Sequence, residues 1–388
     1  MIFLLKFFGA LLALEVLFRL AYYLRRGRAY CMIPKVAFKK MYVLPHPYLP
    51  YVYKKNFANN YARPAEYPLN KAKGYLFVPH VSNNLGNFNG PGGSRDVVVP
   101  KPDGLIRINC LGASTTGNYI FCDGIDYSYP MELEKIVLSS FKGAQAEVNN
   151  FGIGGWTSAE ILVDFLLNGL DTSPDIVVLY HAYNDLGPSL TPAFRSDYSH
   201  ARKNLGESYH LYRMMSLFPS LPLAVYNWAV NRFIGQNISH TLISSVTRGT
   251  VDYSIGFQGF DTYRRNIESL ITICLARNIG IVLSTFCYYI YDAIKDDPMH
   301  AKLHEGVLKE NEIIKELSLK YNVPLVDNYR LIPRQDKYFV DSVHFTPEGM
   351  NLIAQNLSVP VHTYAREKCN DKKDHTVAAR VAREQARQ

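Results

Sequence analysis

Apolar and polar positions follow three different patterns along the chain. Met1–Leu24 (MIFLLKFFGALLALEVLFRLAYYL) is apolar except at Lys6, Glu15 and Arg19. Twenty-four helical residues reach about 36 Å, enough for a hydrocarbon core of about 30 Å. Glu15 and Arg19 stand four apart, on one helix face, and can pair. Lys6 and Arg19 lie near enough to the ends to extend their charges to the interface. The pattern predicts a retained membrane helix. An interfacial helix and a cleaved signal peptide are the alternatives, and no small-x-small cleavage site follows the apolar run.

Residues 25–104 lack sustained periodicity and are rich in Tyr, Asn, Gly and Pro. Tyr42, Tyr48, Tyr51, Tyr53, Tyr61, Tyr67 and Tyr75 recur through this stretch, which closes on Asn89-Gly90-Pro91-Gly92-Gly93. It reads as an accessory segment whose tyrosines pack against the main domain, stack on sugars or sit at a membrane interface.

From Leu105 the pattern alternates. Leu105–Leu111, Ile176–Tyr180, Ile279–Thr285 and Val323–Asp327 are short apolar or alternating runs that predict strands. Ile267, Leu270, Ile271 and Cys274 have helical spacing, as do Val307, Ile314, Leu317 and Tyr321. Met350, Ile353, Ala354 and Leu357 mark a last helix, with Thr346 as N-cap and Pro347 in its first position. Strands alternating with helices predict an α/β domain, its mostly parallel sheet covered on both faces. In such sheets, active sites form at the carboxyl ends of strands. The predicted organisation is an anchor over 1–24, an accessory segment over 25–104, and an α/β domain over 105–364. An insertion over 187–258 and a charged tail over 365–388 complete it. Within the insertion, Met214–Val230 runs seventeen residues without a charge, but Pro219 and Pro222 interrupt it. A lid or a membrane-touching hairpin fits that stretch better than a second span.

Composition changes the picture in two places. Six scattered cysteines (Cys31, Cys110, Cys122, Cys274, Cys287, Cys369) form no CxxC pair, so neither a disulfide scaffold nor a zinc module is indicated. The net charge is +8, yet residues 1–64 hold eleven Lys/Arg against Glu15 alone, leaving residues 65–388 slightly acidic. That distribution argues against nucleic acid as a partner. The flank after the helix carries Arg25, Arg26, Arg28, Lys35, Lys39 and Lys40. It favours the cytoplasmic face, or contact with anionic headgroups.

Four candidate sites fall at predicted strand ends. Ser114, in Leu111-Gly112-Ala113-Ser114-Thr115-Thr116, follows the first strand at what reads as a strand-to-helix turn. It could be a nucleophile or a helix cap. Asn150-Phe151-Gly152-Ile153-Gly154-Gly155-Trp156-Thr157 could aim a backbone N–H at a ligand, or be only a tight turn. Asn184, in His181-Ala182-Tyr183-Asn184-Asp185, could aim its amide into a cleft or form an Asn-Asp turn. Asp341 and His344, three residues apart before the last helix, can pair so that one imidazole nitrogen faces the cleft. Metal binding by this pair is the rival, without further ligands at suitable spacing, and an inert surface histidine is the other.

In this order and at these strand ends, the set resembles the SGNH hydrolases, or GDSL-like esterases, over about Leu105–Leu357. The resemblance implies a three-layer α/β/α domain with a flavodoxin-like sheet. It gives Ser114 the nucleophile's place and makes Asp341 and His344 the Asp-x-x-His pair. Ser114, Gly155 and Asn184 take the oxyanion-hole positions, with Gly154 a close competitor for the glycine. Ala113 stands where the family often has Asp, and Ala182 where it often has Gly. The implied chemistry is acyl transfer from an ester to Ser114 and then to water, with no metal or organic cofactor. The expected substrate is an acyl ester, acetyl foremost, of a carbohydrate or lipid-linked glycan at a membrane. Transfer to a sugar hydroxyl, lipase action on membrane lipid, and an inactive binding module are the alternatives.

Overall fold

The computed structural model describes residues 2–27, 43–58, 63–64, 76–77, 81–90, 93–117, 120–122, 125–140, 145–201, 221, 225, 228 and 251–385. Tyr42, Tyr61, Tyr67, Tyr75, the basic flank from Arg28 to Lys40, and most of Met214–Val230 lie outside them. The chain divides into two compact units, one of residues 1–52 with 202–248 and one of residues 53–201 with 249–388.

The first unit contains α1 (Ile2–Arg26). Phe8, Leu12, Leu17 and Leu24 along it are exposed. Arg19 pairs with Glu15 at 2.6 Å, as their spacing predicts. The second carboxylate oxygen of Glu15 accepts the Leu221 N–H at 2.7 Å, so this unit joins the N-terminal helix to the middle of the insertion. Among the described residues, one helix is long and apolar enough to cross a membrane.

In the second unit the predicted alternation forms β1 (Ile106–Gly112), α2 (Tyr129–Ser140), β2 (Ala146–Gly152), α3 (Ser158–Asp164) and β3 (Ile176–Tyr180). It continues with α4 (Phe260–Ala276), β4 (Gly280–Ser284), α5 (Pro298–Tyr321), β5 (Leu325–Val326) and α6 (Pro347–Gln385). The five strands are parallel in the order β5-β4-β3-β1-β2. From the other edge this reads 2-1-3-4-5, the flavodoxin-like order, whose switch point lies between β1 and β3. Helices α2 and α6 pack together on one face, while α3, α4 and α5 pack in succession on the other. Every residue of β1, β3 and β4 is buried, as strands covered on both faces require. The Thr346 hydroxyl accepts the Gly349 N–H at 3.2 Å, the cap expected for α6.

Two expectations need revision. A short antiparallel hairpin, Ile120–Cys122 with Ile125–Tyr127, separates the Ser114 turn from α2, so Ser114 caps no helix directly. Strand β2 (AEVNNFG) carries no apolar run and was not predicted. It is an edge strand whose polar groups, buried or half-buried, pair with residues distant in the chain. Asn89 donates to Asn149 Oδ1 at 2.9 Å and accepts the Asn150 N–H at 2.7 Å. Arg95 bridges Glu134, Glu147 and the Val148 carbonyl. The fully buried Arg107 reaches Glu147 and the carbonyls of Thr172 and Val98. Asn89 and Arg95 thus occupy backbone groups at the open edge of the sheet, where unpaired backbone would otherwise invite another strand.

Asn89→Ala leaves the buried Asn150 N–H and the Asn149 side-chain oxygen Oδ1 without these partners. The expected cost is about 1–3 kcal/mol, read as a lower midpoint in urea unfolding at unchanged slope.

Candidate active site

The pairing register sets the site. Gly112 pairs with Gly152 on one side and with Tyr180 on the other, so three parallel strands end level. Ser114, Gly155 and Asn184 follow those ends by two, three and four residues, and meet at the switch point. The turns can come this close because of glycine. A Cβ on Gly152 would lie 2.1 Å from the Gly117 nitrogen, so a side chain there would push the β2 turn away from Ser114. Thr116, which stands where an elbow motif has its second glycine, is fully buried. Its hydroxyl lies 3.1 Å from the Tyr129 hydroxyl and 3.3 Å from the Tyr180 carbonyl. It ties the nucleophile turn to the end of β3.

Opposite Ser114, the loop before α6 brings in His344. Its Nε2 lies 2.9 Å from Ser114 Oγ, and its Nδ1 lies 2.8 Å from Asp341 Oδ2. Asp341 Oδ1 accepts the Val343 and His344 N–H groups, each at 2.8 Å. Burial works to raise the Asp341 pKa. The hydrogen bonds and charge of His344, with the two backbone donors, outweigh it and hold the carboxyl below its usual range. This carboxylate therefore stays ionised and fixes the imidazole with Nε2 toward the serine. Among the described residues, no group of three or more His, Cys, Asp and Glu is placed to hold a metal ion.

Gly155 has φ +77°, in the left-handed region, at the head of the turn after β2. Gly154, its competitor, gives its N–H to the Tyr53 hydroxyl at 2.9 Å. The Asn184 amide donates to the Trp156 carbonyl at 2.8 Å, which holds the Asn184 side chain against the Gly155 turn. The structure thus brings together all five residues singled out in the sequence.

What holds Asn184 in place was not legible in the sequence. Ala182 adopts no left-handed conformation, so the missing glycine there costs no strain; Tyr183 does, at φ +62°. Its N–H donates to the buried Glu310 carboxyl at 3.0 Å. Beneath it, Asp185 accepts from Ser158 Oγ at 2.5 Å and from the Tyr198 hydroxyl at 2.7 Å, and lies 2.7 Å from His181 Nε2. Burial raises the Glu310 pKa well above its ordinary value, and the nearby Asp185 charge adds to the effect. Asp185, also buried, is kept ionised by His181, Ser158 and Tyr198. An acid on α5 whose burial favours the neutral form and one after β3 whose partners favour the ionised form therefore share the support of the loop.

The family model described as "GDSL-like Lipase/Acylhydrolase family" matches residues 110–352. No curated protein matches the sequence. A lipase/acylhydrolase from Enterococcus faecalis is 15% identical, over 67% of this chain and 96% of its own, at a TM-score of 0.41. A GDSL-like lipase from Bacteroides thetaiotaomicron is 16% identical over 66% and 88%, at a TM-score of 0.36. A catalytic mutant of an acetylxylan esterase from Geobacillus stearothermophilus is 14% identical over 66% and 94%, at a TM-score of 0.40.

The Glu310 environment has a pH signature. Above the ordinary carboxyl pKa of about 4.3, the unfolded chain releases a proton that the folded chain keeps, so stability falls as pH rises. Glu310→Gln keeps an acceptor for Tyr183 and removes the titration. Its thermal midpoint should gain on wild type as pH is raised from about 5 to about 8. Parallel midpoint curves would show that Glu310 is ionised in the folded chain.

Proposed function

Starting from a chain that belongs to the GDSL-like lipase/acylhydrolase family and hydrolyses esters through a serine, we propose that Ser114, His344 and Asp341 are its catalytic triad. The observation that carries this reading is the continuous hydrogen-bonded path from Ser114 Oγ through His344 to Asp341, at 2.9 and 2.8 Å. Ser114 Oγ attacks the acyl carbon while its proton passes to His344 Nε2. The N–H groups of Ser114 and Gly155 and the Asn184 amide hold the tetrahedral oxyanion. His344 returns the proton to the departing alcohol. Water then repeats the attack with His344 as base, releasing the acid and restoring Ser114.

The proposed substrate is a short acyl ester, acetyl foremost, on a carbohydrate or lipid-linked glycan. Two observations support it. The exposed apolar face of α1 suits an enzyme held where its substrate is membrane-bound. The Tyr183 ring, next in sequence to Asn184 and 5.9 Å from that of Tyr288, is half-buried, and its exposed part gives a sugar ring a place to stack. We further propose that α1 anchors the chain in the bilayer, with the catalytic unit on the cytoplasmic side favoured by the basic flank. Pairing with Arg19 and the Leu221 N–H lowers the cost of Glu15 within the span.

Hydrolysis of p-nitrophenyl esters from acetyl to decanoyl tests the chemistry. Ser114→Ala and His344→Ala should each lose roughly 10³–10⁶-fold in kcat, and Asn184→Ala about 10²–10³-fold. Variants that match wild type would remove the site assignment, and a preference for decanoyl would favour lipase action. Deleting residues 2–26 should move the protein from the membrane to the soluble fraction with esterase activity retained. Cysteine-accessibility labelling in intact cells reads the side, and labelling of the catalytic unit from outside would reverse the proposed orientation.

A further inference from the structure

Tyr53 is the first residue of the catalytic unit and reaches the site from a stretch of chain remote from every motif. Its hydroxyl oxygen accepts the Gly154 N–H at 2.9 Å. A carbon placed on Gly154 would lie 3.4 Å from that oxygen and 3.7 Å from Ser114 Cβ. The phenol oxygen and the nucleophile's Cβ therefore both lie against the Gly154 turn, the phenol reaching it from a position 101 residues before Gly154.

The surroundings of Tyr53 are built to hold it there. Its ring lies 5.2 Å from that of Phe88, which packs on Met131 in α2. Gly86 has φ +90°, and a Cβ there would lie 2.7 Å from the Tyr53 carbonyl oxygen, so glycine alone lets this loop rest on the Tyr53 backbone. The Asn56 N–H bonds to the Asn83 carbonyl at 2.8 Å, and the Phe57 N–H to the Ser82 hydroxyl at 3.1 Å. Asn89 and Arg95 then fasten the same loop to β2 and α2.

We infer that Tyr53 is a positioning residue for the oxyanion turn: its hydroxyl fixes the Gly154 amide and thereby the orientation of the Gly155 peptide beside Ser114. The inference rests on the proposed roles of Ser114 and Gly155. Consecutive glycines have no side chains whose packing could hold the turn, and backbone freedom is greatest at glycine. Oxyanion donors stabilise a transition state only when they are already aimed at the developing charge. A displacement of about 1 Å can cost on the order of 10²-fold in rate. Bonds at Ile153 and Trp156 hold the two ends of the turn, and the hydrogen bond to a rigidly seated phenol adds a restraint at the Gly154 amide itself. The accessory segment is then part of the active site and not merely a spacer.

The test uses full-length protein in detergent, with Tyr53→Phe and Ser114→Ala beside wild type. Tyr53→Phe keeps the ring and its seat on Phe88 and removes only the acceptor. One readout is the rate of labelling by a fluorophosphonate, in which Ser114 Oγ bonds to phosphorus as fluoride leaves and the phosphonyl oxygen needs the oxyanion donors. The others are kcat and KM for p-nitrophenyl acetate, and the thermal midpoint. Tyr53→Phe should slow labelling and lower kcat by about tenfold or more, with KM and the midpoint little changed. Wild-type labelling and kcat in Tyr53→Phe, with no label on Ser114→Ala, overturn the role of Tyr53 and leave the triad standing. A rise in KM at unchanged kcat also overturns it, since the hydroxyl would then act only in binding substrate. Equal labelling of wild type and Ser114→Ala overturns the triad, and the Tyr53 inference with it.

Discussion

The level ending of three parallel strands is the constraint on which the site depends. Gly112 pairs across to Gly152 and to Tyr180, and a slip of either neighbour would move its loop by about 3.3 Å and invert its side chains. Such a slip would separate Ser114 from Gly155 or from Asn184. The register is held from several directions. Gly152 and Gly117 approach too closely for a side chain, and Thr116 bonds across to the end of β3. His344 then needs only a short loop before α6 to meet Ser114, because Asp341 binds both that loop's backbone and its imidazole.

Around this centre, buried polar groups add their support to the apolar packing of Tyr180, Ala182, Val343 and Phe345. Asp185 gathers His181, Ser158 and Tyr198, and Glu310 receives the backbone of the strained Tyr183. On the opposite edge, Asn89, Arg95 and Arg107 pair with Asn149 and Glu147 of β2. Buried groups of this kind are costly when unpaired, so each favours one arrangement of its loop over near alternatives. The accessory segment contributes to both systems. It covers the sheet edge through Asn89 and Arg95, and it delivers Tyr53 to the Gly154 amide.

The sequence by itself determined the elements whose burial is recorded as local periodicity. Ile176–Tyr180 is a strand over the predicted residues, and Ile267, Leu270, Ile271 and Cys274 all lie on the buried face of α4. It also determined the segregation of basic charge into the N-terminal segment, and the spacing of the motifs that carry Ser114, Gly155, Asn184, Asp341 and His344. These features are legible because residue type and spacing carry them within a few positions. Strand β2 escaped notice because its buried asparagines and glutamate look solvated until their partners, forty to sixty residues away, are known. Tyr53 was one tyrosine among seven, and Glu310 one acid on an otherwise ordinary helix face. Only the tertiary structure distinguished them, since an isolated polar residue does not reveal whether water or a distant backbone group will satisfy it. The two neighbouring glycines, alike in the sequence, are told apart in the same way, by a hydroxyl that the fold brings across 101 residues to the Gly154 amide.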